Sequence, residues 1–273
     1  GFWMTKRFFS APFMAFMLCG TLIPACVIAY YGMTDRSGAF TLANLVAIAS
    51  GEHAKALGLS LLLAFVSTVI CLLLAFPLGL ALKDSRLGKK GFMVFVFILP
   101  MWMNFLLRTM AWQVLLEKNG IINGMLAGIG LPALNIINTP AAVILGMVYD
   151  YLPFMILPIY NALIKIDNNL IEAAYDLGAS KSLVFRKVIV PLSVPGIVSG
   201  VTMVFVPSLT TFAISNMLGG GKVNLIGNII EQEFTASSNW NLGSGLSLVM
   251  MIFIVISMAF IEKFDRNGEG NMI

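Results

Sequence analysis

Asp150 stands inside an otherwise apolar run from Pro140 to Ile164, with Tyr149 and Tyr151 beside it and Pro153 just beyond. A carboxylate at mid-membrane depth costs roughly 2.5–3.5 kcal/mol against lipid, so it must face a cavity or a partner. The residues leave two readings open. Asp150 attracts a cation, with the flanking rings adding cation–π attraction, or it pairs with Arg108 near the end of the preceding apolar run. Glu231 and Glu233 precede Trp240 in a polar stretch between two apolar runs. They are either solvated loop acids or an acidic mouth that draws in polycations or contacts an external protein. Trp102 and Trp112 read as interface anchors or packing residues, with Trp102 also a candidate ring along a transport path.

Other constellations fail their chemical requirements. Gly219-Gly220-Gly221-Lys222 resembles part of a phosphate loop, but the first glycine that loop needs is Asn216 here, and Val223 replaces the required Ser or Thr. The segment reads as an external turn. His53 is the one histidine, which argues against a zinc enzyme and a Ser-His-Asp hydrolase. Cys19, Cys26 and Cys71 lie within apolar runs without metal-ligand spacing and read as buried thiols. No catalytic residue and no metal site is expected.

Composition tells what kind of element must hold these residues. Of 273 residues, 59% are hydrophobic and only 11% charged, and mean hydropathy is +0.91. A soluble domain carries about a quarter charged residues. The chain therefore reads as an integral membrane protein with no appended soluble domain, a single transmembrane domain over residues 1–273. A spanning helix needs about 20 apolar residues. Six runs serve: Phe8 to Tyr31, Ala56 to Leu82, Gly91 to Leu107, Pro140 to Ile164, Pro195 to Leu218 and Leu242 to Ile261. The third is short and is expected to continue past Arg108 towards Leu115. The first is too long for a signal peptide and reads as a retained helix. The runs are continuous rather than alternating, so the fold class is all-α and polytopic.

The basic residues orient these spans. One side collects Lys6, Arg7, Lys83, Arg86, Lys89, Lys90, Lys165, Lys181, Arg186, Lys187, Lys263 and Arg266. The other holds Arg36, Lys55, Arg108, Lys118 and Lys222, which accounts for all 17. The positive-inside rule puts the first side, and with it both termini, in the cytoplasm. The net charge of +4 is then topology and not a nucleic-acid footprint. Between spans, residues 119–138 are expected to form a short interfacial helix on the outer side.

The inner loop of residues 166–191 is the most informative segment. Asp167-Asn168-Asn169 reads as a helix N-cap region, and Glu172 is expected in the first turn, where the macrodipole favours an acid. Leu170, Ile171, Ala173, Ala174 and Leu177 give an apolar stripe that Gly178 ends. A second helix is expected over Lys181 to Val190, with Pro191 and Pro195 leading into the fifth span. The hairpin is either an amphipathic pair lying on the membrane or a docking surface for a soluble partner.

Glu172-Ala173-Ala174, then Gly178, then Val188-x-Val190-Pro191 resembles the EAA loop of ABC-importer permeases, whose pattern ends Ile-x-Leu-Pro. Val188 and Val190 depart from it but keep its apolar character. The resemblance implies that Glu172, Ala173, Ala174, Gly178 and Pro191 belong to a coupling helix seated in a cleft of an ATP-hydrolysing subunit. It covers nearly the whole chain. Residues 104–112, 116–120 and 151–160 and Met217-Leu218-Gly219-Gly220-Gly221 look like the spermidine/putrescine permease subfamily, most like the first of that system's two permease subunits. It implies a bacterial inner-membrane permease paired with a second permease subunit, a dimer of ATP-binding subunits and an extracytoplasmic substrate-binding protein. ATP and Mg would sit on the partner ATPase and no cofactor on this chain. A permease for another small solute is the nearest rival. A stand-alone secondary transporter would carry inverted repeats, and none stands out.

Overall fold

Proline and glycine decide where the apolar runs of this chain stay continuous and where they break. The computed structural model describes residues 2–85 and 92–270. Among them the chain forms helices α1 (Phe2–Gly32), α2 (Ala43–Val46), α3 (Gly51–Asp84), α4 (Phe92–Ile98), α5 (Phe105–Leu116), α6 (Ile121–Gly128) and α7 (Pro140–Ile164). Then follow α8 (Asn168–Asp176), α9 (Lys181–Val184), α10 (Val190–Thr210), α11 (Ala213–Gly219), α12 (Ile226–Thr235) and α13 (Trp240–Gly270). Arg86, Lys89, Lys90 and Gly91, expected at the inner surface before the third span, lie outside the described residues.

Five stretches are long and apolar enough to cross a bilayer: Ser10–Gly32, Gly51–Asp84, Pro140–Ile164, Lys181–Thr210 and Trp240–Phe264. The third expected span is not straight. It is a pair, Phe95–Trp102 and Phe105–Gly128, bent by 95°. Pro100 sits in the 3-10 turn Leu99–Trp102 and Met103 is extended. Asn104 then opens a new helix by accepting the Leu106 N–H on its side chain at 2.9 Å. Counting this pair as one crossing gives six.

The fifth span also differs from its expected bounds. It starts at Lys181 rather than Pro195, because the helix passes Pro191 through a π turn, Phe185–Ile189. Pro191 lacks the N–H that would bond Lys187, and a local π adjustment absorbs that loss. The span ends at Thr210, since Thr211 is extended and α11 is a separate helix. Asn228 supports this break: its Nδ2 donates to Phe212 O at 3.2 Å and to Asn216 Oδ1 at 2.7 Å. The expected outer interfacial helix is α6. Asn123 fixes it, donating to the Glu117, Lys118 and Leu134 carbonyls and accepting the Leu134 N–H.

Backbone contacts group the chain into two units. One comprises Ala56–Asn228 joined by the helix from Ile254 on. Its axis is α7, whose Met147, Asp150, Pro153 and Ile156 are buried. Gly196 and Gly200 on α10 let that helix approach α7 closely. A Cβ at Gly196 would fall 2.5 Å from Ala162 Cβ and 2.6 Å from Pro158 O, and one at Gly200 2.6 Å from Met155 Sδ. This is small-residue packing at four-residue spacing, the usual way membrane helices gain close contact. Gly146 does the same for α11, where a Cβ would run into Leu218 and Ile214.

The other unit comprises the chain up to Lys55 with Ile229–Phe253. Asn241 Nδ2 donates to Thr34 O at 2.7 Å, and Asn44 Nδ2 donates to the same carbonyl at 2.9 Å. Asp35 accepts from Ser37 Oγ, Ser37 N and Ala39 N. The Ser37 hydroxyl first, and then the Ala39 amide, hold its carboxyl below the ordinary range. Cys71 is buried as expected, but Cys19 and Cys26 are exposed, because the apolar window of Ser10–Gly32 holds no fully buried residue.

Candidate functional site

Two features of the first unit could do work: a buried polar cluster between α5 and α7, and the hairpin α8–α9. The cluster forms because Arg108, Thr109 and Trp112 lie within one turn of α5, which the break at Met103 and Asn104 has re-aimed. Arg108 Nε is 3.5 Å from Asp150 Oδ1, and their side chains are only 5% and 2% exposed. Thr109 Oγ1 donates to Asp150 Oδ2 at 2.8 Å. The Arg108 guanidinium carbon lies 6.0 Å from the centre of the Tyr149 ring. Trp112 meets that ring edge-on at 5.4 Å. The Arg108 reading of Asp150 is therefore realised here, with Thr109 as a partner that the sequence did not flag. The pairing is incomplete: Arg108 Nε, Arg108 Nη1 and Asp150 Oδ1 are buried without a hydrogen-bond partner. Such a pair loses much of its attraction to desolvation.

Tyr151, half-buried, packs against both apolar clusters of this unit. Trp102 is not in the cluster. It is 75% exposed and stacks edge-on against Phe95 at 5.6 Å, in the bend between α4 and α5. Glu231 and Glu233 belong to the other unit and lie on α12. Both are half-buried, and Glu231 accepts from Thr235 Oγ1 at 3.3 Å. Gly219–Lys222 is a turn: α11 ends at Gly219, and Gly220 follows in the left-handed region at φ 54° against the Asn138 side chain. Among the described residues no group of three or more His, Cys, Asp or Glu could hold a metal ion.

The hairpin is built by its own sequence. Asp167 caps α8, accepting the Asn169 N–H at 2.9 Å. Glu172 sits in the second turn of α8, not the first as expected, because the helix already begins at Asn168. At the other end Gly178 N donates to Tyr175 O at 2.8 Å and Ala179 N to Ala174 O at 3.0 Å, a Schellman closure that needs a left-handed residue. Gly178 supplies it at φ 81°. Ser180 then caps α9, accepting from Leu183 N. Val184 is buried, and Phe185 packs its ring edge-on to Phe76 at 5.7 Å, which anchors the hairpin to α3. Lys83 Nζ donates to Ile166 O at 3.5 Å at the hairpin's base. Leu177 is left 90% exposed and Leu170 52%. Glu172 and Ala173 are exposed, whereas Ala174 and Pro191 are half-buried.

A family model for the binding-protein-dependent transport system inner membrane component matches residues 1–267. The chain belongs to that family. This permease is 36% identical over 260 residues, 91% of each chain, to the spermidine/putrescine transport system permease protein PotB of Haemophilus influenzae. It is 36% identical over 229 residues, 83% of each chain, to the PotB of Escherichia coli K12. Its fold matches a bacterial ABC transporter involved in import of the polysaccharide alginate, with a TM-score of 0.80 at 16% identity over 97% of this chain and 96% of that one. The chain is thus a transport permease with the fold of an ABC-transporter permease, and the family read from the EAA pattern is the right one.

Proposed function

We propose that this permease is one membrane subunit of an ATP-driven importer for spermidine and putrescine. A second permease subunit, a dimer of ATP-binding subunits and an extracytoplasmic binding protein complete the transporter. ATP and Mg bind the partner ATPase, and this chain performs no covalent step. Both termini face the cytoplasm, which puts the α8–α9 hairpin on the ATPase side.

The observation that carries the reading is the hairpin. Its end is closed by Gly178, its base is anchored by Val184 and Phe185, and Leu177 protrudes almost wholly exposed. We read this exposed apolar tip, carried on a capped and anchored helix pair, as a docking element. Glu172, Ala173, Ala174, Gly178 and Pro191 shape it, and Lys181, Arg186 and Lys187 supply charge for acidic residues of the ATPase. ATP-driven closure of the ATPase dimer pushes this element and opens the permease pair outward. The polyamine identity follows the named relatives, and Asp150, the one buried acid among the described residues, is the carboxylate available to it deep inside the membrane.

Purification of the complex with its neighbours, followed by ATPase assays in lipid, tests this. Spermidine-loaded binding protein is expected to stimulate hydrolysis severalfold. Stimulation by a different solute, with none by spermidine or putrescine, contradicts the cargo; absence of any co-purifying ATPase contradicts the coupling.

A further inference from the structure

We propose that Arg108 is a tethered stand-in for the cargo. It holds Asp150 while the site is closed, and a cargo ammonium takes the same carboxylate when the site opens. The proposal rests on the polyamine reading above and assigns how the carboxylate is kept until cargo arrives.

The geometry of the pair supports exchange. A guanidinium built for permanent pairing meets a carboxylate through two parallel hydrogen bonds. Here the approach is a single Nε to Oδ1 distance of 3.5 Å, and neither atom makes a hydrogen bond. Thr109 engages the other oxygen, Oδ2, so the carboxylate is oriented from one side while its second oxygen remains open to a donor. Arg108 Nη1 is likewise buried and unpartnered. Burial of three unmet valences in one pair weakens it as a structural bond.

Opening has a place to occur. Arg108 is carried by α5, which starts directly after the extended Met103 and the 95° turn of the chain. Rotation there withdraws the guanidinium from α7 and uncovers Asp150. The Tyr149 ring, now 6.0 Å from the guanidinium carbon, offers its face to an incoming ammonium instead. One singly charged cationic group thereby takes the place of another at the same carboxylate.

The complete transporter in lipid vesicles, supplied with binding protein and radiolabelled spermidine, tests this through KM and turnover. Arg108→Gln removes the competitor: KM is expected to fall about tenfold, the equivalent of one charge-assisted hydrogen bond, and turnover to fall with it because cargo is held too firmly. Asp150→Asn added to Arg108→Gln is expected to raise KM again by about tenfold or more. Arg108→Lys serves where the neutral variant does not assemble. Its more strongly hydrated ammonium is expected to release Asp150 more readily and to lower KM about threefold. Unchanged KM in assembled variants, with only the yield of transporter reduced, makes the pair structural and overturns the proposal. If the unmodified transporter takes up neither spermidine nor putrescine, the polyamine reading fails and this proposal fails with it.

Discussion

Arg108 and Asp150 form an ion pair at 3.5 Å between α5 and α7 in which both side chains are almost wholly buried. Removing one member leaves a charge uncompensated in low dielectric, at about 3–5 kcal/mol. Asp150→Asn is therefore expected to lower the thermal stability of the purified chain, and Arg108→Gln added to it to recover most of the loss. Melting in detergent, followed by intrinsic fluorescence, measures both. Equal stability of the single and double variants would show that the two charges are not coupled.

Gly178 adopts φ 81° with open space around it. A side chain there meets no neighbour, so the cost is backbone strain of about 1 kcal/mol. Gly178→Asn, which tolerates the left-handed region, is expected to retain transport. Gly178→Val is expected to lose most of it while inserting normally. Uptake and membrane yield measured side by side separate strain at the hairpin from failure to fold, and full transport by the Val variant removes the role given to this turn.

Gly196 and Gly200 set the distance between α10 and α7. Gly196→Leu is expected to disrupt that packing outright, because two of the atoms a Cβ would meet are backbone atoms of α7, Pro158 O and Ile159 Cα. Gly58→Ala is the control: nothing lies within 4 Å of a Cβ there, and the change is expected to be neutral or to stabilise by up to about 1 kcal/mol. Limited proteolysis in detergent distinguishes the two, and a Gly196→Leu protein as resistant as the parent would contradict the packing.

Topology is checked by labelling. In a background where Cys19, Cys26 and Cys71 are replaced by serine, a cysteine introduced at Ser237 is expected to react with an impermeant thiol reagent added outside intact cells. One introduced at Ser85 is expected to react only after permeabilisation. The opposite pattern reverses the chain and removes the hairpin from the ATPase side.

Apolar run length made the membrane class and most of the spans legible, and the Glu172-Ala173-Ala174 to Gly178 spacing made the hairpin legible down to its capping glycine. The bend at Met103 and Asn104 was not, since a run of apolar residues looks the same whether the helix through it is straight or broken. Fusion of the second hairpin helix with the fifth span was equally hidden, because Pro191 reads as a stop unless a π turn precedes it. Arg108 was one of two partners left open for Asp150, whereas Thr109 was not considered, since its place beside the carboxylate depends on how α5 is aimed after the bend. The Gly196 and Gly200 spacing was visible in the chain but acquires meaning only with α7 opposite.

Uptake into sealed vesicles is the most direct measurement of the whole account. The permease, its partner permease and the ATPase are reconstituted together, ATP is placed on the ATPase side, and labelled spermidine is presented on the opposite side with the binding protein. The account predicts accumulation that requires hydrolysable ATP and the binding protein, and that is largely lost in Gly178→Val. Spermidine accumulation that proceeds without ATP, or survives Gly178→Val unchanged, would contradict it.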